Sequence, residues 1–168
     1  MKPGRPSQPR LTQDDILTES LALLAKGERA LTIRALAQRL TVTPMAIQHH
    51  IGTRDALIRT LSDHVLSPVE TPDEGPPATR LRALLTAYTK AITTYPNLTL
   101  ALFRIPGPLP SEARRITDAL DTILADLTPN PRLWRDILID WSHGMTLAQS
   151  NEDPQPALDA LLTALNPG

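Results

Sequence analysis

The sequence predicts an all-α chain of about nine helices, and three observations carry that prediction. Apolar residues recur at three- and four-residue spacing in almost every segment, with no strand-like alternation longer than a few residues. The 17 prolines fall mostly between the periodic segments, where they mark helix boundaries. Aromatic residues are few (Phe103, Tyr88, Tyr95, Trp134 and Trp141), so the core is built from Leu, Ile and Ala.

Residues 1–10 are Pro-rich and basic with nothing to bury, and read as a flexible arm. Thr12 then caps a first helix, with Asp14 and Asp15 favourably placed at the positive end of the dipole. Ile16, Leu17, Ser20, Leu21 and Leu24 share one side of it, and Gly27 comes after its last turn. A second helix runs from Thr32 to Leu40 on Ile33, Leu36, Ala37 and Leu40. After the break Thr41-Val42-Thr43, a third helix of barely two turns spans Pro44 to His50, with proline at a first position where its missing N–H costs nothing. Gly52 ends it, and Thr53 caps a fourth helix, Arg54 to Leu66.

Residues 67–78 hold five Pro or Gly and three acidic residues, and read as a linker between a domain over 11–66 and a second over 79–168. Further helical patterns cover 79–95, 97–105, 112–127, 132–150 and 156–165. Asn97, Ser111 and Asp153 are candidate caps, and Pro96, Pro106 and Pro129 candidate breakers.

The net charge of −1 conceals an asymmetry. Residues 1–66 carry nine Lys/Arg against six Asp/Glu, net +3, and the remainder eight against twelve, net −4. The basic front is the part suited to a polyanion. The absence of cysteine excludes disulfides and thiolate chemistry. No apolar run approaches membrane-spanning length and the basic N-terminus lacks the apolar stretch of a signal peptide, so a cytoplasmic location is expected, with no membrane partner.

The stretch with functional content is Thr32–Leu61. Two short helices joined by a three-residue break, with small Ala37 near their crossing, have the form of a helix-turn-helix. Ile47 and Ile51 face inward with Val42, which leaves Thr43, Met45, Ala46, Gln48, His49 and His50 pointing outward. Here the chain resembles the TetR family of transcriptional regulators. The resemblance rests on Thr32-Ile33-Arg34-Ala35-Leu36-Ala37, Leu40-Thr41-Val42, Gln48-His49-His50-Ile51 and Arg54-Asp55-Ala56-Leu57, and the run Thr43-Pro44-Met45-Ala46 looks like the tetracycline-repressor branch. In the second half the match is to helix order, the Tyr95-Pro96 pair and Gly144. Three positions depart: Gln48 stands where the family usually has tyrosine, Thr41 where it has the turn glycine, and Ile51 where it has a terminal aromatic. A threonine at Thr41 is strained if that position requires positive φ.

The resemblance implies a repressor that binds double-stranded operator DNA as a homodimer and is released by a small-molecule effector. It implies phosphate contacts from Thr32, Arg34 and Arg54, and major-groove entry by Thr43, Pro44, Met45, Ala46, Gln48, His49 and His50. Gln48 is chemically suited to a bidentate bond with adenine, and Met45 or Ala46 to a thymine methyl. Arg5 and Arg10 add candidate arm contacts. For the effector pocket the candidates are Tyr88, Tyr95, Phe103, Arg104 and Trp141, with Arg104 open to a second reading as a surface arginine. The expected mechanism is a population shift in which ligand binding swings the fourth helix and draws the reading helices out of register.

The broad stripe Trp134, Ile137, Leu138, Trp141, Met145, Leu147 and Ala148, with Leu158, Leu161, Leu162 and Leu165, suits either a four-helix dimer interface, for which Trp134, Leu138 and Met145 are the candidates on that helix, or an ordinary core. Adjacent His49 and His50 point about 100° apart on a helix and make no metal pair. Asp136, Asp140 and His143 share a face without a nucleophile, so a solvated face is expected there rather than an enzyme site. No cofactor is called for. The alternative function is a protein of this fold that has lost sequence-specific DNA binding and acts through protein or small-molecule contacts; Gln48 and Thr41 are its support.

Overall fold

The computed structural model describes residues 11–148 and 153–165. The basic arm, with Arg5 and Arg10, lies outside the described residues.

Threonine hydroxyls open the first four helices. Thr12, Thr32, Thr43 and Thr53 each accept from the backbone N–H three residues on (Asp15, Ala35, Ala46 and Ala56), at 3.0–3.2 Å. Each cap contributes about 1 kcal/mol by satisfying an orphan N–H. These helices are α1 (Gln13–Leu24), α2 (Ile33–Arg39), α3 (Pro44–Ile51) and α4 (Arg54–Leu66). A single 3-10 turn, Glu28–Ala30, lies between α1 and α2. Three residues are too few to carry a readable period, so this turn has no signature in the pattern.

In the second half prolines take over the opening role. Pro77, Pro96 and Pro131 are the first residues of α5 (Pro77–Thr94), α6 (Pro96–Phe103) and α8 (Pro131–Ala148). The series is completed by α7 (Ser111–Ala125) and α9 (Gln155–Leu165), so the described residues hold nine α-helices and no strand. Of the expected caps, Asp153 accepts from Gln155 N–H at 3.0 Å. Asn97 and Ser111 lie inside α6 and α7, whose preceding residues are Tyr95 and Pro110.

The chain divides into two compact units, residues 1–57 and 58–168. The division falls within α4, not after it, because the later turns of that helix pack with the second half of the chain. Residues 67–78 do not behave as a free linker either. Val69 is buried, Arg115 donates to the Val69 carbonyl and Thr71 hydroxyl, and Arg80 donates to the Pro72 carbonyl. Composition marked this stretch as helix-free, but composition does not report what a segment lies against.

The first unit is centred on Ile16, Leu24, Leu36, Ala37 and Ile47, all buried. The buried Ser20 hydroxyl donates to the Ile16 carbonyl at 2.6 Å, which allows a polar group on that face. In the second unit α5 packs against α7 and α8. Leu81, Leu84, Leu85, Ile116, Leu120, Ile123, Leu124 and Leu138 form its core. Leu158 and Leu165 join the same core.

That placement divides the broad apolar stripe between core and surface. Leu138, Leu158 and Leu165 are buried in their own chain and have almost no surface left for a partner; Leu161, Leu162 and Trp134 are partly buried against the same core, and Met145 is half-buried. The apolar residues that α8 leaves outward are Leu133, Ile137 and Leu147, with Gly144 between the last two. Ile137 and Leu147 belong to the same broad apolar stripe as Leu138, so periodicity did not say which of its residues faced inward. No described helix is long and apolar enough to cross a membrane.

Candidate DNA-reading helix and ligand cavity

In the first unit, α2 ends and α3 begins within a few residues. Val42 N–H donates to Ala37 O at 2.9 Å and Thr41 N–H to Gln38 O at 3.3 Å. This is a Schellman closure with Thr41 in the left-handed position, φ 55°. A β-branched residue there is strained by about 1–2 kcal/mol relative to glycine. The condition that sequence alone left open at Thr41, a positive φ, is present.

Ile47 is the buried residue of α3. Pro44, Met45, Gln48, His49 and His50 are exposed, Met45 to 77%. Ala46 and Ile51 are half-buried. The His49 and His50 rings stand edge to face, 6.0 Å between centroids. Arg34, at the start of α2, is also exposed. Thr32 and Thr43 are exposed too, with their hydroxyl oxygens acting as the helix caps described above.

Arg54 is engaged within the chain. Its Nε donates to Leu31 O at 2.9 Å and its Nη2 to Glu28 O at 3.2 Å, with the Glu28 carboxylate 3.7 Å away. The guanidinium ties the start of α4 to the 3-10 turn through internal carbonyls. A basic side chain at a helix start reads alike in both roles until its neighbours are known.

The second unit contains a cavity of about 180 Å³. Of the pocket candidates, Tyr88, Tyr95 and Phe103 line it; Arg104 and Trp141 do not. Arg104 is exposed just after the last turn of α6, and Trp141 faces a separate depression bounded by Thr86, Thr89 and Leu158. Among the lining residues not assigned to it from sequence are Arg59 and His143, with Ser62, Thr99 and Thr117. Spacing had grouped His143 with Asp136 and Asp140, but its imidazole points inward. Its Nε2 lies 2.9 Å from the Tyr88 hydroxyl and its ring is edge-on to Phe103, 4.8 Å between centroids. Burial pushes the His143 pKa below its ordinary value, against a smaller opposing pull from Asp140. Burial raises that of Tyr88. Asp136 instead pairs with Arg135.

Two tethers join α4 to the chain segment over the cavity. Arg59 donates to the carbonyls of Pro106 and Pro108. The Asp63 carboxylate accepts from Ser111 Oγ at 3.1 Å and Glu112 N–H at 2.8 Å. Gly107 passes close beneath the guanidinium: a Cβ there would lie 2.9 Å from Arg59 Nη2.

No family model matches the chain. A curated relative, an HTH-type transcriptional regulator of Saccharopolyspora erythraea, is 35% identical over 75 residues, 44% of this chain. The match spans 32% of that relative's length, about a third. Among solved structures, BioQ bound to its natural double-stranded DNA operator superposes with a TM-score of 0.79 at 21% identity, covering 95% of this chain and all of that one. The Streptomyces coelicolor TetR family protein ActR in complex with actinorhodin gives a TM-score of 0.69 at 23% identity, covering 94% of this chain and 87% of that one. The chain therefore has the all-α fold of TetR-family regulators. BioQ and ActR are what it resembles in backbone.

Proposed function

We propose that this chain is a DNA-binding transcriptional regulator, a cytoplasmic homodimeric repressor released from its operator by a small molecule. The observation that carries the reading is the outward face of α3: a two-turn helix held by buried Ile47, with Gln48, His49, His50 and Met45 left to the outside. Such a face suits the major groove, with Arg34 at the neighbouring helix start for phosphate. The relatives bound to an operator and to a small molecule make both partners reasonable for this fold.

A dimer suits two half-sites about 34 Å apart. The outward Leu133, Ile137 and Leu147, with Gly144 permitting close approach, are the surface for it on α8. Release would run through α4, which is shared by both units and is tied at Arg59 and Asp63 to the segment over the cavity. A ligand that favours a different setting of that segment shifts the population of α4 positions.

The test is fluorescence anisotropy on DNA fragments flanking the gene, at several salt concentrations. Tight, salt-sensitive binding to one fragment is expected. Arg34→Ala should weaken binding to all sequences and lower the salt slope by about one. Gln48→Ala should cost about 1–3 kcal/mol on the specific fragment alone. Binding no tighter than to random DNA at every salt, there and in a genome-wide site selection, would favour the alternative of a fold-mate without sequence-specific DNA binding.

A further inference from the structure

The cavity of the second unit has a chemical character of its own. Its wall is mainly Leu, Ile, Val, Pro and aromatic carbon, and its mouth carries Phe103 and Leu109, each more than half exposed. Among the described residues no aspartate, glutamate or lysine lines it. An ammonium ligand would thus lose its hydration with no counter-charge to replace it.

An anionic ligand fares little better. The guanidinium of Arg59 directs both terminal nitrogens to the carbonyls of Pro106 and Pro108, with Gly107 passing alongside. The other cation-forming side chain, His143, is held neutral by burial at neutral pH. The cavity's uncharged polar groups are the hydroxyls of Ser62, Tyr95, Thr99 and Thr117 and the Tyr88–His143 hydrogen bond, 2.9 Å long and set between α5 and α8. Whichever ring tautomer is present, the Tyr88 oxygen keeps a further role. It accepts a hydrogen bond when its proton goes to Nε2, and donates one when Nε2 carries the proton. The pair therefore serves a hydroxyl or a carbonyl equally.

We infer that this cavity takes an uncharged, largely apolar molecule of one or two rings, bearing a hydroxyl or carbonyl group seated against Tyr88 and His143. The size comes from its volume, about 180 Å³, somewhat above the roughly 150 Å³ engineered cavity that accepts benzene. The edge-on Phe103–His143 contact supplies an aromatic wall beside the polar pair. The inference deepens the effector-site reading above and rests on it for its regulatory meaning.

The experiment is isothermal titration of the DNA-free protein at neutral pH with three compounds of one skeleton: 2-naphthol, 2-naphthoate and 2-naphthylmethylammonium. Binding of the naphthol at least about tenfold tighter than either charged analogue is expected, the loss reflecting charge desolvation. Tyr88→Phe should weaken the naphthol about fivefold, the change one neutral hydrogen bond makes. His143→Gln, which keeps an acceptor and donor, provides a second variant, expected to weaken it less than Tyr88→Phe; circular dichroism verifies that both are folded. Tighter binding of the naphthoate, indifference of the naphthol to Tyr88→Phe, or no binding of any probe would overturn the inference. Displacement of operator DNA by the same compounds is scored separately. Naphthol binding without displacement keeps the cavity chemistry and sinks its regulatory role.

Discussion

The outward face of α3 and the cavity of the second unit are built on opposite plans. The helix presents Met45, Gln48, His49 and His50 to the outside from a single buried anchor, Ile47. The cavity gathers Arg59 from α4, Tyr88 from α5, Phe103 from α6 and His143 from α8 around mainly apolar walls. On an open face, polar groups keep their hydration and remain available, so chemistry depends on which residues are left outside. In a closed one each polar group must find a partner, and those partners decide what remains for a ligand. Arg34 and Arg59 show the difference: both are helical arginines, but Arg34 is exposed whereas Arg59 is turned to two carbonyls.

The contrast is broken most severely at the anchor. Ile47→Ala removes a fully buried side chain and is expected to cost about 2–5 kcal/mol in denaturant unfolding. Gln48→Ala, one residue on, should change stability by less than about 0.5 kcal/mol while affecting DNA binding. Equal losses of stability at both positions would mean that α3 does not divide into an anchor and a reading face. A smaller effect, of opposite sign, sharpens the picture at the turn. Thr41→Gly relieves a left-handed β-branched residue and should stabilise the protein by about 1 kcal/mol. A fall in melting temperature in that variant would show that the Schellman turn is not strained.

The mildest prediction concerns the cavity. His143 has an ordinary pKa of 6.5 and a lower one when folded, so the unfolded chain binds its proton first as pH falls. The stability that neutral, buried His143 retains is complete above about pH 6.5 and is lost progressively below it. Melting curves across that range should slope downward toward acid, and less so for His143→Gln. Identical slopes would indicate that His143 is solvated rather than enclosed.

Much of the first unit was legible from local pattern. The threonine caps at Thr12, Thr43 and Thr53, Pro44 at its first position, Ile47 as anchor and the strain at Thr41 each depend on residues within one turn of one another, whereas Thr32, read as the first helical residue, is the cap. Arg54 was not legible in the same way, because its partners Leu31 and Glu28 lie more than twenty positions away. The cavity was only half legible. Tyr88, Tyr95 and Phe103 are aromatic residues in an aromatic-poor chain and point to a pocket by type alone. His143 pairs across 55 positions with Tyr88, and Arg59 across 47 with Pro106.

The sequence by itself determined the helices, most of their beginnings, and the residues that a two-turn helix leaves outside. Capping, proline geometry and amphipathic period are short-range effects, complete within the segment that carries them. Only the tertiary structure decided where the chain divides, that residues 67–78 lie docked through Val69, and which residues of the broad stripe on α8 faced the core. It also decided which cations were already engaged by carbonyls. Burial and partnering are properties of neighbours brought together by packing, and a periodic pattern names a face without naming what covers it.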